Sequence, residues 1–393
     1  MSNKRILITG VGGVGIHTAH LLSTMPGTDI YLADIREQHV IAKANSVYDS
    51  AYYFNKNEAN RPNVFPVSMN MLDKEAMQKQ LEEIKPDVII HLATMMAAQK
   101  IRAALPLEAA QKVYDANPVG TGLRPWAPGH CVLLFNLMSA IKDSGIQTHV
   151  VNGSGCDYLN VAFHNIGMPI TCGLGDWALA EPGLVRAIAK RLDVHERDVT
   201  LYLAGHHSLI MPLAYYGSLL DIPSYIKVEV LGTDVTDKLD FEGDIFKEFH
   251  KYNSWPEVAE DRDQEQTSSH AAAIARAIVF DTNEIMNVPG PEGLPGCYPC
   301  RVNKDGVHVI IPEGTTREEL IAVNEHGNVA EGFSEIRADG TMVANDYTTK
   351  IIEEEFEMEW RYREFQPHQA MEAFQEINEG FKRYVAKNPI TEA

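Results

Sequence analysis

Apolar residues in the first half of the chain come in short unbroken runs separated by stretches of helical period. Arg5-Ile-Leu-Ile-Thr9 is one such run, and it leads directly into Gly10-Val-Gly-Gly-Val-Gly15. Ile16, Ala19, Leu21 and Leu22 then fall at helical intervals, Pro26-Gly27 closes the helix, and Asp29–Ala33 is a second apolar run ending at Asp34. An unbroken run suits a strand covered on both faces, so strand, helix and strand in this order predict one βαβ unit. The alternation continues with a strand near Val64–Val67, an amphipathic helix over Asp73–Lys85, and a strand within Asp87-Val-Ile-Ile-His-Leu-Ala93. A helix over Cys131–Lys142, a strand at His149–Asn152, a helix over Pro182–Leu192 and a strand from Val199 to Leu203 follow. Such alternation predicts a parallel sheet with crossover helices.

Past about residue 155 the pattern loosens into strand pairs, longer helices and the Gly-Pro clusters Pro289-Gly-Pro-Glu-Gly293 and Leu294-Pro-Gly296. The predicted architecture is α/β: an N-terminal Rossmann domain over 1–153, with a doubly wound parallel sheet, followed by an α+β substrate domain over 154–350. A helical tail over 351–393, acidic and rich in aromatic residues, is expected to pack on the second domain or on a partner subunit. A chain of 393 residues is long enough for two such lobes.

Gly10, Gly12 and Gly15 stand in G-x-G-x-x-G between a strand and a helix, with Gly13 and Val14 completing the loop. In that context the first glycine allows a tight turn, the second lets the backbone approach a pyrophosphate, and the third lets helix and strand pack closely. The helix N-terminus adds amide donors and a positive dipole end. Asp34 ends the next strand, where a carboxylate accepts hydrogen bonds from a ribose 2′-OH and repels a 2′-phosphate. Ala93, at the end of the fourth apolar run, is expected to belong to the same cofactor site. These residues predict a dinucleotide site that takes NAD ahead of NADP, although Arg36 follows Asp34 closely.

Composition narrows the partners. A formal net charge of −20 argues against nucleic acid, whose phosphates are held by clustered Lys and Arg. The Glu-Glu-Glu run from Glu353 reads as a solvated helix face. Five scattered Cys read as reduced thiols, and no window reaches the length of a membrane span, so a soluble cytoplasmic protein is expected. Cys297-Tyr-Pro-Cys300 has redox spacing but does not open a helix, so a thioredoxin-like role is not expected.

Three segments resemble the lactate and malate dehydrogenase superfamily. Val150-Val-Asn-Gly-Ser-Gly-Cys-Asp-Tyr-Leu159 is similar to the family's strand ending in Thr-Asn-Pro-Val-Asp, which implies that Asn152 contacts substrate and nicotinamide. Ile170–Gly175, Arg186–Val194 and Asp198-Val-Thr-Leu-Tyr-Leu-Ala-Gly-His-His-Ser208 resemble the passage that ends in Gly-Glu-His-Gly, placing His207 at the catalytic histidine. Ser268–Ile278 resembles the family's Ser-Ala-x-Ala helix, and Gly296–Pro312 its closing hairpin. The resemblance implies an NAD-dependent oxidoreductase with a small-molecule substrate, assembled as a homodimer or homotetramer.

The departures fall where small 2-hydroxy acids are gripped. The family's histidine-orienting Asp and carboxylate-clamping Arg map onto Trp177-Ala-Leu-Ala-Glu-Pro-Gly183, where Glu181 is the nearest acid and no Arg follows at the required spacing. Arg124, in a long segment between Leu92 and Cys131, is the candidate for a substrate carboxylate or oxyanion, by bidentate hydrogen bonding. The superfamily includes NAD-dependent glycosidases with a longer insertion there and a Cys, Asn and His around a divalent metal such as Mn²⁺. Under that alternative His206 and Cys172 are candidate ligands, with Asn152 and Asp176 nearby, although Gly175 takes the family's cysteine position.

The leading expectation is hydride transfer between nicotinamide and a secondary alcohol or ketone, either a hydroxy acid or a sugar derivative. An imidazole titrating near neutrality, here His207, takes and returns the hydroxyl proton. The alternative is a redox-assisted, metal-dependent glycosidase or epimerase acting on a sugar or uronate. Leu7-Ile-Thr-Gly10 also resembles the extended short-chain dehydrogenases and epimerases, but their Tyr-x-x-x-Lys is missing where expected. A non-catalytic dinucleotide sensor is the remaining class.

Overall fold

The computed structural model describes residues 3–113, 124–252 and 255–390. From the N-terminus, β1 (Lys4–Thr9), α1 (Gly13–Leu22), β2 (Thr28–Asp34), α2 (Glu37–Asn55), β3 (Asn63–Ser68), α3 (Lys74–Ile84) and β4 (Val88–His91) alternate strictly. Short helices α4 (Ala98–Ala104) and α5 (Leu107–Val113) follow, then α6 (Ala127–Ser144), β5 (His149–Asn152), α7 (Cys156–Asn165) and β6 (Cys172–Gly173). The six strands form one parallel sheet in the order β3-β2-β1-β4-β5-β6. The order reverses between β1 and β4, and in open α/β sheets ligands bind in the crevice outside the strand ends at that point.

Both faces of the sheet are covered, which is why its central strands carry no polar alternation. Ile6 and Ile8 of β1 pack with Ala19, Val40 and Ile274 on one face, while Leu7 packs with Met77, Leu81 and Leu137 on the other. Alternate residues of one strand thus serve two cores. Pro66, which has no N–H to donate, sits in β3 at the sheet edge. Helix α3 shows its N-terminal signal directly, with the Asp73 side chain accepting from the Ala76 N–H, and Lys85 in the left-handed conformation ends it.

The rest of the chain is α+β. Helix α8 (Glu181–Leu192), β7 (Val199–Ala204), α9 (Ile210–Tyr216), β8 (Tyr225–Val230) and β9 (Thr233–Asp234) give a three-stranded antiparallel sheet, followed by α10 (Phe246–Tyr252) and the long α11 (Trp255–Phe280). A second such sheet has β10 (Glu284–Pro289), β11 (Cys297–Asn303) and β12 (Gly306–Val309), the last two forming the expected hairpin. Then come α12 (Arg317–Asn328), β13 (Phe333–Ile336), β14 (Met342–Ala344), α13 (Asp346–Glu355), β15 (Glu364–Phe365) and α14 (Ala370–Lys387). Helix α11 returns to the parallel sheet through Ala271, Ile274 and Ile278, and its Ser268 Oγ donates to the Val14 carbonyl at 3.0 Å.

The tail, expected on the second lobe or a partner subunit, lies on both lobes of its own chain: β15 pairs with β14 of the second lobe in a third antiparallel sheet, and α14 reaches the first. Phe374, Phe381 and Tyr384 of α14 share a core with α6. Phe381 meets the Trp126 ring edge-on at 4.9 Å, and the Tyr384 hydroxyl donates to the Ala109 carbonyl at 3.2 Å. The aromatic stripe that looked available to a second subunit therefore covers α5 and α6 of its own chain. No helix among the described residues is long and apolar enough to cross a membrane.

Candidate functional site

The glycine loop closes the C-terminal ends of β1 and β4. Gly10 adopts φ +91°, and a Cβ there would lie 2.8 Å from the Ala93 nitrogen. A Cβ on Gly15 would lie 2.2 Å from the Gly10 carbonyl oxygen, so helix and loop touch only because neither residue carries a side chain. Around Gly12, by contrast, nothing lies within 4 Å of the added atom. That open face at the start of α1, with no side-chain cap on the helix, leaves the backbone there accessible to a group such as a pyrophosphate. Gly12→Val is therefore expected to leave the melting temperature nearly unchanged while raising the NAD Kd at least about tenfold by calorimetry. Gly15→Ala is expected to yield little folded protein, because its neighbour is backbone and cannot swing away.

Asp34 is held in place at the end of β2. Its carboxylate accepts from the Val11 N–H at 3.3 Å and takes both Nε and Nη2 of Arg36, at 3.0 and 3.1 Å. Burial works against its charge, but the Arg36 hydrogen bonds outweigh it and hold the carboxyl below its ordinary range. Arg36 is thereby drawn onto Asp34 and away from an incoming phosphate.

Next to this loop a cavity of ≈ 200 Å³ is lined by Val14, Gly153, Cys156, Asp157, Gly175, Asp176, His207, Thr267 and Glu331, among others. Its walls come from separate places: the turn after β5, the residues after β6, the end of β7, α11, and the turn after α12. His207 follows β7 and is a quarter exposed; its Nδ1 lies 3.7 Å from Asp176 Oδ1 and 3.6 Å from Glu331 Oε1. Burial alone would lower the pKa of this imidazole, but Asp176, Glu331 and Asp157 overcome that and raise it to about 10. With Nδ1 turned to the acids, Nε2 is the nitrogen left for a ligand.

His206 and His207 behave differently, as adjacent residues leaving a strand should. His206 is buried; its Nδ1 accepts from the Ser208 N–H at 3.4 Å, and its Nε2 lies 3.6 Å from Asp157 Oδ2. Burial lowers its pKa to about 4. Asp157, in the first turn of α7, accepts the His207 backbone N–H at 3.2 Å, while burial and the charge of Asp176 push its carboxyl well up. The Cys156 thiol donates to Asp176 Oδ2 at 2.8 Å and is likewise pushed up by burial.

Several expectations need correction. Asn152, expected at the substrate, is buried, with each polar atom already engaged: its amide N–H groups donate to the Ser154 carbonyl and Asn160, and its oxygen accepts from the Ser154 N–H. It shapes the turn that carries Cys156 and Asp157. Glu181 does not orient the histidine; its carboxylate accepts from Asn287 at 2.8 Å, and Asn287 in turn bonds Leu201 and Leu203 of β7. Cys172 lies in the core with Val151 and Leu174, and the thiol at the cavity is Cys156. Arg124 opens a short helical turn, Arg124–Trp126, and its side chain lies outside the described residues. Asp157 and Glu331 were missed as site acids. Asp157 sits inside the quoted Asn152 segment, but Glu331 carries no local signal, because a loop after α12 delivers it.

No family profile matches the chain, and no curated protein does either. Solved structures do. A lactate dehydrogenase from a Medee basin deep-sea metagenome library is 16% identical, with 84% of this chain and 97% of that one covered at a TM-score of 0.56. The Cryptosporidium parvum lactate dehydrogenase, complexed with lactic acid and nicotinamide adenine dinucleotide, is 18% identical over 84% and 98%, with a TM-score of 0.56. The Picrophilus torridus malate dehydrogenase is 17% identical over 84% and 98%, with a TM-score of 0.57. Across that sequence distance, the chain has the fold of the lactate and malate dehydrogenases.

Proposed function

We propose that this protein is an NAD-dependent oxidoreductase that exchanges a hydride with a secondary alcohol or ketone. The observation carrying this reading is that Val14 of the glycine loop and His207 line one cavity. Bound along the loop, the dinucleotide would supply hydride acceptance or donation at that cavity. The chain's part is to hold the ribose on Asp34, shield the reacting carbon, and donate a proton from His207 Nε2 to a ketone oxygen. The acids keep the ring protonated at neutral pH instead of titrating there as expected, so the alcohol-oxidising direction is favoured only toward pH 10. Asp176 and Glu331 hold the ring from its Nδ1 side. Among the described lining residues there are three carboxylates and no Lys or Arg. The described lining therefore offers no Lys or Arg to clamp a substrate carboxylate, so a sugar-derived or polyol substrate fits better than a small hydroxy acid.

The test is NADH absorbance with saturating NAD against polyols, sugars, sugar acids and hydroxy acids, with product analysis of each mixture. NADH accumulating with an uncharged polyol supports the reading. NADH with none of them, and no NAD binding, rejects it. Cofactor choice is tested separately: Asp34→Ser frees Arg36, and the NADP-to-NAD affinity ratio is expected to rise at least about tenfold.

The surplus of acids favours a second reading. A dehydrogenase needs one proton-transfer group, whereas Asp157, Asp176 and Glu331 add three around His207. A redox-assisted glycosidase or epimerase uses an additional base, returns its hydride within the turnover, and would form product without net NADH.

A further inference from the structure

We propose that Asp157, His206 and Glu331 bind one divalent first-row metal ion, of the Mn²⁺ or Zn²⁺ class, at the inner wall of the His207 cavity. The three residues come from the first turn of α7, the end of β7 and the turn after α12, and each brings one ligand atom within 4.8 Å of the others. Their side chains are 3%, 1% and 1% exposed. Asp157 Oδ1 and His206 Nε2 have no hydrogen-bond partner among the described residues, and they belong to the same cluster.

A buried carboxylate and a buried imidazole nitrogen left without partners are costly, because neither recovers the hydration it lost. Direct pairing does not resolve this: His206 Nε2 stands 3.6 Å from Asp157 Oδ2, beyond a good hydrogen bond. An ion bonded at roughly 2.1 Å holds neighbouring ligand atoms about 3.0 to 3.4 Å apart, and the ligand atoms of the three residues already lie within 4.8 Å of one another. The His207 N–H already fixes Asp157 Oδ2, leaving Oδ1 to face the cation. Two carboxylates and an imidazole make a borderline N,O donor set, which suits manganese and zinc better than copper(I) or calcium. Cys156 and Asp176 form a second ligand-bearing group that shares Asp157. This set is not the His206 and Cys172 pair drawn from the resemblance; Cys172 is in the core.

The site is tested without substrate or NAD, so its failure is separate from failure of the hydride reading. Chelator-treated protein is titrated with Mn²⁺ while the spectrum of the free aquo ion is followed by electron paramagnetic resonance. One Mn²⁺ bound per chain is expected, with affinity at least about tenfold lower in Asp157→Asn and in Glu331→Gln. A wild-type titration that leaves the free-ion signal undiminished overturns the proposal, as do folded variants that bind like the wild type. Circular dichroism checks folding of the variants. If they do not fold, anomalous scattering from wild-type crystals grown with Mn²⁺ decides: a peak between the three side chains supports the site, and a peak elsewhere or none overturns it.

Discussion

Replacing His207 by glutamine is expected to lower turnover of the oxidised or reduced substrate about 10²- to 10⁴-fold, the usual contribution of a positioned acid or base. The NAD Kd, measured by calorimetry or fluorescence, is expected to stay within about twofold, because under this reading the dinucleotide would rest on the glycine loop and Asp34, with the histidine across the cavity. Glutamine is preferred to alanine because the ring faces Asp176 and Glu331, and its loss would leave two acids without the positive partner they share. An N–H at the same place softens that penalty while removing the titrating group. Turnover unchanged in His207→Gln would remove the histidine from the chemistry. NAD binding with no turnover of any substrate, in wild type and variant alike, would identify a dinucleotide sensor.

The second large effect concerns stability. Glu181 is half-buried at the start of α8, and loss of solvent around it raises its pKa to about 7 from an ordinary 4.5, only partly offset by hydrogen bonds from Asn287. Its folded-state value lies above its unfolded one, so the folded chain binds the extra proton between those two values. Stability is then full below about pH 4.5 and falls as pH rises through 7. Above that, the ionised carboxylate costs as much as about 3 kcal/mol. Glu181→Gln keeps an oxygen to accept from Asn287 and removes the charge. Thermal melts should show it more stable than wild type at pH 8, with the advantage gone at pH 4.5. Equal melting temperatures at both pH values would mean that Glu181 is solvated as an ordinary carboxylate. Activity should survive the substitution, since Glu181 braces β7 and β10 through Asn287 and has no contact with His207.

Much of the first lobe could be read from local pattern. Strand runs such as Arg5–Thr9 and Asp87–Ala93 were visible because two-sided burial demands unbroken apolar residues. The helix at Asp73–Lys85 was visible because its cap and its apolar spacing lie within one short window. His207 could be found through the resemblance around it, yet neither acid beside its ring was picked out as its partner. The resemblance points instead to Glu181, the acid closest to the family's Asp position, and that residue is turned toward Asn287. Asn152 misled in the opposite way: it occupies the expected position but spends its amide on the turn, because Gly153-Ser-Gly155 leaves backbone groups that it must hold.

By itself the sequence determined the parallel sheet, the glycine loop with its three separate steric roles, and the acid at the end of β2. All of these rest on periodicity and turn chemistry within a few tens of residues. Only the tertiary structure decided which acids meet the histidine, that Cys156 and not Cys172 faces the cavity, and that the aromatic tail covers α6. Those outcomes depend on strand order and helix packing, which bring together α7, the end of β7 and the turn after α12 from places far apart in the chain. No local window contains such a convergence, because the side chains that form it share no period, only a common destination.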